Sequence, residues 1–177
     1  MSSLVQSSSS TALIPATPAA QPEQYLTFMQ GGEMFAIGIL AIKEIIQFQG
    51  VTTVPMMPEC IRGVINLRGA VVPVMDLAAR FGRKPSEVTK RTCIVIVEVE
   101  AEGERHDVGV VVDAVSEVIE IAPSDIEPPP SFGARIRSEF MQGMGKVRGK
   151  FVILLNADRV LSIEELSSLA SIGHAAT

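Results

Sequence analysis

Short apolar runs rich in valine and isoleucine recur along this chain, each closed by glycine, proline or charged residues. Valine and isoleucine together number 37, against 11 leucines. β-Branched side chains fit a pleated, half-buried surface and lose rotamer freedom in a helix, so the bias points to sheet. About ten such runs, near-regularly spaced and separated by turn signals, suggest small barrels or a sandwich. At 177 residues the chain makes one domain or two small ones by the usual ~150 residues per domain.

The turn chemistry gives the order of elements. Residues 24–29 and 34–37 flank Gly31-Gly32-Glu33 as a hairpin. Residues 38–49 are ambiguous, because Ile39, Ile42, Ile45 and Ile46 also fit a helical turn. Read as a strand from Ile42, they put Ile42, Glu44, Ile46 and Phe48 on one face. After a loop marked by Pro55 and Pro58, Gly63 to Leu67 and Ala70 to Asp76 flank a tight turn at Arg68-Gly69. Pro73 inside the second run implies an edge position or a bulge. Residues 82–90 are polar and form the best internal boundary. Beyond them, Thr92 to Glu100 and Asp107 to Asp113 flank Glu102-Gly103-Glu104 as a second hairpin. Val115, Val118 and Ile119 to Ile121 continue the pattern, and Pro128 to Pro130 end it. Phe140 to Val147 and Phe151 to Leu155 pair around Arg148-Gly149. Residues 162–170 carry a capping box, Ser162 with Glu165, and an apolar face of Ile163, Leu166 and Leu169.

The expected organisation is therefore a flexible, uncharged tail over 1–22, a first barrel over 23–88 and a second over 89–160. A helix over 161–170 and a frayed end over 171–177 complete it.

Composition removes several classes of function. Acidic residues outnumber basic ones 20 to 15, a net charge of −5 that argues against a nucleic-acid binder. No apolar run approaches the ~20 residues of a membrane span. The first basic residue is Lys43, and serines occupy the place of a signal-peptide core, so the expected location is the cytoplasm. The two histidines, His106 and His174, have no nitrogen or sulfur ligand nearby, which leaves no metal motif. Gly143, Gly145 and Gly149 with Lys146 and Lys150 lack the spacing and hydroxyl of a phosphate loop and are better read as bulge and turn glycines. No Gly-x-Ser-x-Gly elbow exists, and Cys93 with His106 is the sole candidate nucleophile and base. An SH3-like binder of proline-rich peptides would need an aromatic-lined groove. With no tryptophan, one tyrosine and seven phenylalanines, the chain is poorly equipped for it.

Two charged residues stand out. Glu44 falls on an apolar face, where a carboxylate needs a cation. Arg68 lies in Val64-Ile65-Asn66-Leu67-Arg68-Gly69, where alternation puts it on the face of Val64 and Asn66. Patterning alone leaves open whether the two meet in an ion pair at an interface or stay apart on the surface.

The run Ile42-Lys43-Glu44-Ile45, followed by residues 58–77 (PECIRGVINLRGAVVPVMDL), resembles the CheW-like family of bacterial chemotaxis coupling proteins. Further similarity lies in residues 108–118 (VGVVVDAVSEV), in Phe140 to Gly145 and in Ile153 to Asn156, so that it spans roughly residues 24–170. The resemblance implies two intertwined five-stranded SH3-like barrels with a short C-terminal helix, no catalysis and no cofactor. It implies an adaptor joining the cytoplasmic tips of methyl-accepting chemoreceptors to the regulatory domain of the histidine kinase CheA, recruited to the membrane through receptors without inserting into it. An adaptor of a non-flagellar array, such as pilus motility, is the alternative. A chain ending at Thr177 is expected to carry no fused receiver domain. Carried over by position, Glu44 and Arg68 match the family's charged pair, Asn66 and Gly69 complete that turn, and Ile42, Val115 and Val118 match apolar partner-binding positions.

Overall fold

The computed structural model describes residues 21–162, apart from 86, 102 and 130–137. The uncharged segment over 1–20, the capping-box helix and the chain end thus lie outside the described residues, Ser162 and Gln21 to Pro22 excepted. The strands are β1 (Glu23–Gln30), β2 (Glu33–Gly38), β3 (Ile42–Gln47), β4 (Ile61–Leu67), β5 (Ala70–Asp76), β6 (Cys93–Ala101), β7 (Glu104–Val112), β8 (Ala114–Ile121), β9 (Ile126–Glu127), β10 (Met141–Val147) and β11 (Lys150–Leu155). Each long strand pair flanks a turn expected from the sequence. Within the ambiguous 38–49 segment both readings hold in part: Ile39–Ala41 form a 3₁₀ turn and Ile42–Gln47 a strand. Two single-turn helices, α1 (Leu77–Arg80) and α2 (Ala157–Val160), follow β5 and β11. Their N-terminal caps are the side chains of Asp76 and Asn156, which accept the backbone N–H of Ala79 and Arg159.

The strands form two sheets, of order β8-β1-β2-β11-β10-β9 and β3-β6-β7-β5-β4. Sheet membership does not follow the polar break at 82–90: β1 and β2 join β8–β11, while β6 and β7 join β3–β5. The first sheet has six strands rather than five because the two-residue β9 pairs with β10. Each sheet curls on itself. In the second, the chain leaving β3 returns to β4 through a Thr52–Val64 bridge, linking the two ends of the strand order. In the first, β10 comes close to β8: a Cβ added to Gly145 would lie 2.9 Å from the tip of the Ile121 side chain, which would have to shift. Pro73 is not on an edge strand, since β5 lies between β7 and β4. The β5–β7 pairing begins at Val74, however, so at Pro73 the strand has only β4 beside it and its missing N–H breaks no ladder.

The two barrels are copies of one plan. Adding 80 to the residue numbers of β4, its turn, β5 and α1 gives β10, its turn, β11 and α2, matching Gly63 with Gly143, Arg68-Gly69 with Arg148-Gly149 and Asp76 with Asn156. β3 and β8 correspond with the same bulge, between Ile42 and Glu44 and between Val115 and Val118. The hairpins β1–β2 and β6–β7 correspond too, and each sits in the barrel completed by the other repeat.

This exchange explains the continuous apolar runs. β6 and β7 are buried on both faces, as parallel-sheet strands usually are. Ile94, Ile96 and Val111 fill one barrel with Val74, while Val95, Val97, Val99, Val108, Val110 and Val112 face the other lobe. There they meet Leu26, Phe28, Phe35 and Ile37 from β1 and β2. A run of rings crosses this shared core: Phe28 to Phe35 at 6.0 Å, Phe35 to Phe81 at 5.5 Å and Phe81 to Phe140 at 6.1 Å. Among the described residues the inter-lobe core is the largest apolar cluster, and neither lobe can bury its share alone. Phe35→Ala should therefore lower stability by about 3–5 kcal/mol, with both lobes unfolding in one urea transition. Phe151→Ala, at a half-exposed position, should cost under about 1 kcal/mol. Two separated transitions for the Phe35 variant would show that the lobes are independent.

Candidate functional site

Arg68 and Glu44 do meet. The guanidinium donates to the carboxylate twice, Nη1 to Oε2 at 2.6 Å and Nη2 to Oε1 at 2.9 Å. Glu44 pairs across β3–β6 with Ile96 as Ile46 does with Ile94, so it shares the inner face of the barrel with Ile46, Ile94 and Ile96. Its carboxylate thus ends an apolar column, as the alternation of Glu44, Ile46 and Phe48 predicts. Ile42 is set apart from that column by the bulge and packs against the inter-lobe core instead.

Arg68 reaches Glu44 from the β4–β5 turn, not from the strand face that alternation suggested. Arg68 and Gly69 have φ of +52° and +89°, the two left-handed residues of a type I′ turn. Asn66 Oδ1 accepts the Gly69 N–H at 2.9 Å and fixes the turn. An arginine in the left-handed region is disfavoured by about 1–2 kcal/mol, a cost glycine would avoid. The same choice recurs in the other lobe, where Arg148 has φ +52° and donates to Glu117 at 3.3 Å. Sequence reading missed this second pair; the 80-residue offset between the two Arg-Gly turns was the signal for it.

The pair is a surface feature. The Arg68 side chain keeps 72% of its exposure and Glu44 27%, so the bond contributes little to stability. The hydrogen bonds from Arg68 hold the Glu44 carboxyl below its ordinary value, outweighing the opposing desolvation, and the nearby charges of Arg68 and Lys43 act the same way. The carboxylate in turn raises Arg68. Exposed apolar residues lie close in sequence to both pairs: Val71 three residues after Arg68, Phe151 three residues after Arg148, and Ile45 and Val118 next to the two glutamates.

The remaining expected residues separate. Ile42 and Val115 occupy equivalent positions in the two lobes and both pack against the inter-lobe core. Val118 is half-exposed on β8 of the other lobe, away from the Arg68 turn in sequence and sheet. Asn66, Gly69, Arg68 and Glu44 form the one cluster.

Two alternative chemistries lose their geometry. Cys93 pairs with Val112 and His106 with Val99, so six residues of strand, about 20 Å at ~3.3 Å each, separate thiol from imidazole. Phe28, Phe35, Phe140 and Tyr25 are buried, and among the described aromatic residues only Phe151 is exposed, so no aromatic groove is formed. Buried Asp76 is a structural acid: it caps α1 and takes Arg62 Nε at 3.1 Å. Among the described residues no group of three His, Cys, Asp or Glu could hold a metal ion, and no helix is long and apolar enough to cross a membrane.

A model of the CheW-like domain matches residues 24–165, which takes in both lobes. The chain belongs to the CheW-like domain family. It is 34% identical over 142 residues to the chemotaxis protein CheW of Rhizobium meliloti, covering 80% of this chain and 89% of that one. To the chemotaxis protein CheW of Klebsiella aerogenes it is 33% identical over 145 residues, covering 82% and 85%. The crystal structure of the scaffolding protein TtCheW from Thermoanaerobacter tengcongensis superposes with a TM-score of 0.72 at 34% identity, over 81% of this chain and 94% of that one. The mainly β, two-barrel fold is thus that of the family.

Because the folded Glu44 carboxyl titrates below its unfolded value, the ion pair is complete at neutral pH and is lost as pH falls through that lowered value. A carbon-detected NMR titration should find the Glu44 midpoint below the ordinary glutamate range, and Arg68→Gly should return it upward. An unchanged midpoint in that variant would mean the pair does not persist in solution.

Proposed function

We propose that this chain is a non-catalytic cytoplasmic adaptor that couples the cytoplasmic tips of chemoreceptors to the histidine kinase CheA. Family membership across both lobes and relatives named as chemotaxis and scaffolding proteins support the general role. The observation that carries the finer reading is the Arg68–Glu44 pair. An arginine kept in a strained turn position, bound bidentately yet largely exposed, gains little for stability. Its planar donors and the exposed Val71, paired with Asn66 beside the turn, offer the charged and apolar contacts expected of an interface anchor. Asn66 and Gly69 set the angle of that anchor, and Val118 offers an apolar contact on the other lobe. Ile42 and Val115 act from beneath, through the shared core.

A lobe this small presents an interface of standard size or less, so each contact is weak to moderate alone. Assembly raises the effective concentration of the remaining contacts. A chain that touches receptor with one surface and kinase with another couples them through one free energy shared between sites. The shared core makes the two lobes one rigid unit, which suits that task.

Arg68→Glu tests the assignment. The variant should fold, with a melting temperature within a few degrees of the parent. Its affinity for the purified regulatory domain of CheA or for receptor-containing membranes, measured by calorimetry and co-sedimentation, should fall at least about tenfold. A melting temperature lowered by many degrees, or unchanged binding to both partners, would make the pair a structural feature only.

A further inference from the structure

The repeat that relates the two lobes also relates two grooves, and these carry opposite charge. One, of about 930 Å³, is lined where Glu98 to Glu100, Leu40 to Ala41 and Asp158 come together. The other, of about 990 Å³, is lined by the matching residues Met29 to Gly31, Asp113 to Ala114 and Ala78. Glu23, Glu98, Glu100, Glu120 and Asp158 make the first acidic, with Arg105 its one cation. Around the second stand Arg83, Lys84, Lys90 and Arg91, against Glu87 and Asp113. One fold position thus tolerates either sign, so the fold does not dictate the basic cluster. It comes from the loop between α1 and β6, which the polar composition of residues 82–90 marks as the internal boundary.

In a chain of net charge −5, four of 15 cations converge on this groove. Arg83 is engaged, donating to Glu33 at 3.0 Å, and Asp113 is also engaged, accepting the Gly31 N–H at 2.8 Å. Among the described residues Lys84, Lys90 and Arg91 have no ion-pair partner. The end of the loop that carries Lys90 and Arg91 is braced by its own hydrogen bonds: the Arg91 N–H donates to Thr89 Oγ1 and the Thr89 N–H to Thr92 Oγ1. Besides the charged groups, the lining has apolar Met29, Ala78 and Ala114 together with Gln30, Gly31 and Thr89.

We propose that this groove docks an acidic segment of a partner protein, with carboxylates facing Lys84, Lys90 and Arg91 and an apolar side chain entering between them. Charge complementarity sets the class of ligand, since a positive cleft in an acidic protein concentrates and steers anions. Shape narrows the source. An open groove lined by apolar side chains as well as cations suits an inserted peptide side chain better than a flat lipid surface, and no aromatic side chain lines it for a nucleobase to stack on. This surface lies on the loop joining the two repeats and is separate from the Arg68–Glu44 turn.

The test uses the full chain and a fluorescein-labelled peptide with glutamates flanking a central leucine, followed by fluorescence anisotropy. The same peptide with lysines, and anionic lipid vesicles, serve as the other probes. Saturable binding of the acidic peptide is expected, weakened several-fold between about 50 and 300 mM salt. Lys84→Glu with Arg91→Glu should weaken it at least about tenfold, while Glu98→Lys with Glu100→Lys in the acidic groove should not. Thermal melts establish that both double variants fold. Equal binding by the Lys84/Arg91 variant, no saturable binding by the parent, or binding of vesicles but not peptide would each overturn the proposal.

Discussion

The packing of one lobe against the other is the constraint from which the rest of this molecule follows. Each repeat of the chain contributes its first hairpin to the barrel that the other repeat completes. The strands of those hairpins therefore lie between two apolar environments: the inside of their own barrel and the inter-lobe core where Phe28, Phe35, Val95, Val97, Val108 and Val110 meet. A strand in that position cannot alternate apolar with polar. The valine-rich sequence of β6 and β7 is the direct result, as is the absence of any division of the fold at the polar break.

With the stabilising core placed between the lobes, the outer ends of the barrels carry little of the load. Charged hairpin turns, exposed apolar side chains and a left-handed arginine are tolerated there at small cost to the whole. A rigid centre with chemically free ends is a sensible build for an adaptor, whose contacts must be numerous, individually modest and held in fixed relation. The repeat also lets equivalent positions diverge. Arg68 and Arg148 keep the same turn and partner, yet the first binds its glutamate through two short bonds and the second through a single longer one. The two matching grooves have drifted to opposite charge.

Much of the fold was legible in the sequence because turn residues act locally. Gly31-Gly32, Arg68-Gly69, Glu102-Gly103-Glu104 and Arg148-Gly149 each mark a hairpin in the structure, and the strand from Ile42 is present. What sequence could not reveal by periodicity is which strand pairs with which, because pairing across the 82–90 loop depends on long-range burial. Pro73 illustrates the limit: its neighbours are decided by how far the parallel β5–β7 pairing extends. Of the candidate site, the need of Glu44 for a cation was readable from an apolar face. Patterning left open that Arg68 supplies it, and the family resemblance implied it; how Arg68 reaches Glu44 was not legible, because the turn's left-handed backbone, not strand alternation, aims the side chain. The second pair had a signal in the 80-residue offset between the two Arg-Gly turns, whereas the two grooves were hidden because they form only when distant strands and loops come together.

In the proposed function, one two-barrel chain transmits receptor state to the kinase. The most direct measurement is CheA autophosphorylation on receptor-containing membranes from the same cell, with and without this protein. Strong activation on adding it, reversed by attractant, is the expected result. A folded protein that leaves kinase activity unchanged, with or without attractant, would contradict the proposed coupling.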